Sequence, residues 1–169
     1  MRGSKLLIAA TAVVAALVSG CDVVSSVKNE GVSNPMTPEE SKTQVVGAAK
    51  AIVGALDLHV VEAYFWHSSC NDQGEPPFRG EARIAYPPAP TFEQSDAEIA
   101  AMVQRLQSLG WTGDPDFHSH GTVLKKDSVV AVFGPQNVSV PTRSIELFGE
   151  CRDVTTTKGA TGTEAITFD

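Results

Sequence analysis

Apolar residues fall along this chain in three kinds of pattern, and each predicts a different element. From Leu6 to Val18 they run almost without interruption. At about 13 residues this run is well short of the roughly 20 that a helix needs to cross a bilayer. Beyond Met36 the spacing becomes helical. Thr37-Pro38-Glu39-Glu40 combines a threonine cap, proline at the first helical position and glutamate three residues after the cap. Val45, Val46, Ala49, Ile52, Val53 and Leu56 then repeat at intervals of three and four, which places one apolar stripe against a core. A second stripe, Ile99, Met102, Val103, Leu106 and Leu109, follows the capping pattern Ser95-Asp96-Ala97-Glu98 and ends at Gly110.

Between and after the helices the period drops to two. A β-rich run from Leu58 to His67 leads into the loop Asn71–Pro77. Phe78, Gly80, Ala82, Ile84 and Tyr86 then alternate with Arg79, Glu81 and Arg83, the signature of a half-buried strand. Pro87-Pro88-Ala89-Pro90 ends it, since proline cannot donate to a ladder. Strands are expected from about Phe117 to Lys125 and from Ser128 to Phe133, joined at Lys126-Asp127, and a last one from about Arg143 to Cys151. The threonine-rich tail from Val154 reads as a disordered or soluble extension. The predicted order is α-β-β-α-β-β-β, an α+β two-layer domain with two helices packed on one face of an antiparallel sheet.

The first apolar run reads as an export signal, with Arg2 and Lys5 before it and Ser19-Gly20 at its end. Cysteine 21 follows directly, and Leu17-Val18-Ser19-Gly20-Cys21 resembles the lipobox of bacterial lipoproteins. That resemblance implies cleavage before Cys21 and a diacylglycerol on its thiol. Two or more acyl chains hold a protein stably on a membrane where one binds only reversibly. The expected organisation is a signal peptide at 1–20, a lipidated tether at 21–36, the α+β domain at 37–153 and the tail at 154–169. Some 15 tether residues would hold the domain roughly 20 Å from the bilayer.

Charge and cysteine count narrow the partners. The chain has 13 basic and 20 acidic residues, a net charge of −7. Removing Arg2 and Lys5 with the signal leaves 11 basic residues and a net charge of −9. So acidic a domain repels nucleic acid and anionic lipid. Membrane contact is therefore expected through the N-terminal lipid, with an envelope protein as a possible further partner and no cofactor called for. Of three cysteines, Cys21 is assigned to lipid, and Cys70 and Cys151 are left as a pair in an oxidising compartment. A disulfide between them is expected, with a metal-binding or reactive thiol pair as the competing reading.

The combination of lipobox, helix, cysteine after the first strand, glycine-terminated helix, hairpin and closing Gly-x-Cys resembles the actinobacterial LppA-type envelope lipoproteins. The matching pieces are Ala48 to Leu56, Cys70, the helix Asp96 to Gly110, the strand pair Phe117 to Phe133, and Ile145 to Cys151. This resemblance implies attachment at Cys21 and a Cys70 to Cys151 bridge, and it implies no activity.

Candidate chemistry is sparse. His118 and His120, two apart on an expected strand, would share a face, and His67 and Asp116 could complete a zinc-like set. Solvated or hairpin-stabilising histidines are the plainer reading. His67-Ser68-Ser69-Cys70 places a nucleophile beside a base, but nothing orients the histidine and Cys70 is spoken for. Tyr64, Phe65, Trp66 and Phe78 concentrate aromatic area that suits a core, or a partner surface where it is exposed. Asn137-Val138-Ser139 matches a glycosylation sequon, of little weight behind a bacterial lipobox, and Thr155-Thr156-Thr157 could accept sugars. The resulting expectation is a non-enzymatic lipoprotein acting as a binding or accessory module. One alternative is a carrier of an apolar ligand, which needs a cavity of a few hundred Å³ between helices and sheet. The other is a metal-dependent enzyme using the His118 and His120 face.

Overall fold

The computed structural model describes residues 31–168. Cys21, the export signal and the tether up to residue 30 lie outside them.

Helix α1 spans Pro38–Leu56. Its start is the expected capping box: the Thr37 hydroxyl accepts from the Glu40 amide, and the Glu40 carboxylate accepts from the Thr37 amide. Those bonds to Thr37 hold the Glu40 carboxyl below its ordinary range. At the other end Asp57 takes the left-handed conformation, with Leu58 N donating to Val53 O and Asp57 N to Gly54 O.

Strands β1 (Glu62–Ser69) and β2 (Phe78–Tyr86) pair antiparallel, with Ala63 opposite Ile84 and Phe65 opposite Ala82. Helix α2 runs Phe92–Gln107. After it come β3 (Thr112–Gly113), β4 (Thr122–Lys126), β5 (Val129–Phe133), β6 (Arg143–Phe148) and β7 (Glu164–Ala165). The sheet order is β3-β4-β5-β6-β2-β1-β7, and every pairing is antiparallel. Both helices cover one face, as an α+β two-layer domain requires. Val45, Ala49 and Ile52 of α1 pack on Ala82, Ile84, Ile145 and Leu147.

Four local expectations change. Helix α2 begins at Thr91, whose hydroxyl accepts from the Gln94 amide, and not at Ser95, which is buried inside the first turns. The pattern Thr91-Phe92-Glu93-Gln94 is itself a cap signature placed one turn earlier. The expected strand from Phe117 shrinks to Thr122–Lys126. Local bonds take the preceding segment instead, from Asp116 N to Asp114 Oδ1 and from Gly121 N to the Ser119 hydroxyl. The end of the tether is fixed at Met36, whose amide donates to Arg152 O at 2.8 Å.

The tail is not an unstructured extension. Val154 and Thr156 are buried, β7 pairs with Tyr64 and Phe65, and Ile166 and Phe168 pack on the core. What holds it is Asp153, a fully buried carboxylate that accepts from the amides and hydroxyls of both Thr155 and Thr156. A threonine-rich composition here supplies donors to one acid, which composition alone reads as disorder. The neighbouring disulfide joins Cys70 to Cys151 across 81 residues.

Candidate functional site

The geometry that distinguishes this domain is a groove along α2. That helix leans on α1 and buries only Ser95, Ile99 and Leu106 of its own residues. Its flank carries Asp96, Ile99, Ala100, Val103, Gln104 and Gln107, a succession at intervals of one, three and four that forms one wall. The facing wall is the start of β4 and the end of β5, with His120, Gly121, Thr122, Phe133 and Pro135. Between them lies an open groove of about 580 Å³. Gly121 makes the second wall possible, because a Cβ there would meet Phe133 O at 2.3 Å. The floor is apolar, through Ile99, Val103 and Phe133, and the rim is polar.

Near the start of α2, outside the residues that line the groove, lies a buried cation. Arg143 sits opposite Tyr86 in the β2–β6 ladder, one row beyond Ile84, Ile145 and Phe133. It shares the core-facing parity of Ile145 and Leu147 and is 6% exposed. Its guanidinium lies 4.6 Å from the centre of the Tyr86 ring. Nε donates to Pro87 O at 2.9 Å, and Nη2 meets the Glu98 carboxylate at 2.7 Å. Burial pushes the Tyr86 phenol up, more than the Arg143 charge draws it down. Sequence reasoning named Arg143 only as the start of a strand. The available signal was its parity, a charge at a position whose next two partners are Ile145 and Leu147.

Of the residues singled out for chemistry, His120 reaches the groove wall and the rest are placed elsewhere. His118 and His120 are exposed in the loop before β4 and not on a strand face, because the turn bonds of Asp116 and Gly121 displace the ladder. His67 is engaged by the Pro38 carbonyl at 3.0 Å and stands edge-on to Phe65. Among the described residues no three of His, Cys, Asp and Glu come together as a metal site. Cys70 is bonded to Cys151, so the His67–Cys70 sequence offers no thiol nucleophile. The aromatic cluster divides by strand parity: Phe65 and Phe78 are core residues, Tyr64 is exposed and Trp66 half-buried on the opposite face. No described helix is long and apolar enough to cross a membrane.

Comparison with known proteins now gives the family. The family model described as "Putative lipoprotein LppJ" matches residues 37–169. The chain belongs to the LppJ family. Two proteins of that name are similar to it over most of their length. The one from Mycobacterium bovis is 35% identical, with 85% of this chain and 80% of the relative covered. The one from Mycobacterium tuberculosis is 34% identical, with 92% and 86% covered. No solved structure is significantly similar. Of the resemblance drawn from sequence, membership of a lipoprotein family stands, and the match is to LppJ where the LppA type was expected. The matched region begins at the α1 cap and includes the tail, in keeping with a domain that runs past Asp153.

Proposed function

We propose that this LppJ-family protein is exported, lipid-anchored through Cys21 to the extracytoplasmic face of the cell membrane, and works as a non-catalytic binding module that presents the α2–β4 groove. The groove carries the reading. It is large enough for a small ligand, apolar along its floor and polar at its rim, as binding sites are. The groups that could support catalysis are engaged structurally: His67 by Pro38, Cys70 by Cys151, and Asp153 by two threonines. An LppA-type kinship would agree with this reading, and an envelope protein remains a partner open to it.

The apolar-carrier reading has a place on the α2 side of the sheet and not under α1. The space between α1 and the sheet is filled by Val45, Ala49 and Ile52, all with no exposed surface, so an apolar ligand would have to use the open groove.

The test is the mass of the protein extracted from membranes, native and denatured, with and without reductant. A lipid-sized gain on Cys21, a deficit of about 2 Da that reductant restores, and extra native mass from a bound molecule are expected. An unlipidated chain in the soluble fraction would overturn the anchor. Loss of that extra native mass in Val103→Arg would locate the ligand in the groove.

A further inference from the structure

We propose that the groove binds a small amphiphile with a cationic N–H head, a primary ammonium or guanidinium that meets Asp96 while its apolar part lies along Ile99, Val103 and Phe133. The inference rests on the groove reading above and gives it a ligand class.

The two ends of the groove differ in character. Near the start of α2 Glu98 reaches Arg143, and past its end the Leu109 carbonyl accepts from Lys126 Nζ at 2.8 Å. Arg143 opens β6 and Lys126 closes β4, and Phe133, which pairs with both Thr122 and Ile145, sets the start of β4 level with the start of β6. Helix α2 and β4 therefore run the same way, with the groove between them. Asp96 stands at the end where β4 begins, with His120, Gly121 and Pro135, and Gln104 and Gln107 stand toward the other. From Asp96 to Gln107 the helical wall is about 16 Å long. A head followed by a chain fits such a channel lengthwise, and the space lies within the range of small-molecule sites.

Charge sets the sign of the head. Asp96 is the one carboxylate among the lining residues, and no lysine or arginine is among them. It is exposed and makes no ion pair among the described residues. The cations nearest the groove are committed, Arg143 to Glu98 and Lys126 to the Leu109 carbonyl. On α2 itself Glu93, one turn before Asp96, adds negative charge at the same end, and Arg105 stands in the last turn. The potential along the groove therefore favours a cation at the Asp96 end, and the net charge of −7 draws cations toward the protein as a whole.

The lining also selects among cations. A quaternary ammonium has no N–H and is held by stacked aromatic faces, and the only aromatic side chain of the lining set besides the His120 imidazole is Phe133, which is 1% exposed. What the groove offers a head is the Asp96 carboxylate, an acceptor of charge-assisted bonds. A primary ammonium brings three donors to it, and a guanidinium brings a fork of them. Behind the head, a chain laid on Ile99, Val103 and Phe133 takes apolar surface out of water.

The experiment titrates the full-length protein with hexylamine, hexyltrimethylammonium, hexanol and hexanoate at pH 7, four probes with one tail and different heads, and follows the amide signals of Asp96, Val103 and Gly121. Saturable shifts are expected, with hexylammonium about fivefold tighter than hexanol, as one charge-assisted bond at an open site allows. Hexyltrimethylammonium should bind no better than hexanol, and hexanoate should be weakest. The preference for hexylammonium should shrink as salt is raised. Asp96→Asn should remove it while leaving hexanol affinity and the thermal midpoint unchanged, and Glu93→Gln should leave most of it in place. Equal affinity for hexylammonium and hexanol would overturn the cation site and leave the groove reading standing. A preference that survives Asp96→Asn would overturn it as well, by assigning the attraction to the charge of the whole domain. Hexyltrimethylammonium bound as tightly as hexylammonium would overturn the N–H head. Failure of all four probes to shift these signals would overturn both the cation site and the groove reading.

Discussion

Helix α1 meets the sheet through Val45, Ala49 and Ile52, which retain no exposed surface, whereas α2 on the same face buries only Ser95, Ile99 and Leu106 and leaves a groove beside it. The difference lies less in the helices than in what they land on. Beneath α1 the strands offer Gly80, Ala82 and, just past β6, Gly149. A Cβ at Gly80 would meet Ser41 O at 2.7 Å, and one at Gly149 would meet the Val45 side chain at 2.8 Å. Beneath α2 lie Tyr86, Phe133 and the Arg143 guanidinium, with Trp111 following the helix. Small residues let a helix settle onto a sheet, and bulky ones hold it off. The α1 side is also where the chain ends are tied, through the disulfide, Asp153 and Met36. One half of the domain is thus clamped, and the other carries the open groove.

Breaking the clamp should have the largest effect. Replacing Cys70 and Cys151 together by serine frees a loop of 81 residues. In the chain-entropy model that lowers stability by about 4 kcal/mol, a loss that denaturant titration measures directly. Contrasting the two faces comes next. Ile52→Ala, deep under α1, should cost about 3–4 kcal/mol, and Ile99→Ala, at the edge of an open groove that can relax, about half as much. Equal losses would mean that α2 is packed as firmly as α1.

Asp153→Ala should lower stability by about 2–3 kcal/mol, since it strips the acceptor from four donors, two of them on the buried Thr156. Burial raises the Asp153 carboxyl, but the bonds from Thr156 and Thr155 outweigh it and hold it below its ordinary 3.8. The unfolded chain therefore binds this proton more readily than the folded one. The contribution is complete above about pH 5 and is lost as pH falls through and below the ordinary carboxylate range. In the alanine variant the acid limb of the stability curve should be shallower. The smallest effect belongs to Val103→Arg, which points into the groove and should change stability by less than about 0.5 kcal/mol. It should nonetheless abolish ligand retention, so a large stability loss there would show that the groove is core.

The local elements were legible because they depend on neighbours in the chain. The α1 cap needs only Thr37, Pro38 and Glu40. The parity of β2 needs only Phe78 to Tyr86: Gly80, Ala82 and Ile84 are buried as predicted, but of the other face only Arg79 and Arg83 stay half-buried, while Glu81 and Ala85 are buried too because β2 lies inside the sheet. The pairing of Cys70 with Cys151 followed from counting.

What no local pattern contains is the distance between elements. That distance comes from the sizes of residues that meet only after folding, such as Gly80 against Ser41 or Phe133 against Gly121. The tertiary structure decided that the tail docks, because Asp153 collects donors from residues whose composition suggests disorder. It decided that His118 and His120 lie in a loop, because side-chain bonds to the backbone outcompeted the ladder. It also brought Tyr86, Glu98 and Arg143, from two strands and a helix, into one buried contact. The sequence by itself determined which residues form helices and strands and which face of each is apolar. Only the packed fold determined where a helix stands off its sheet and what charge waits beneath it.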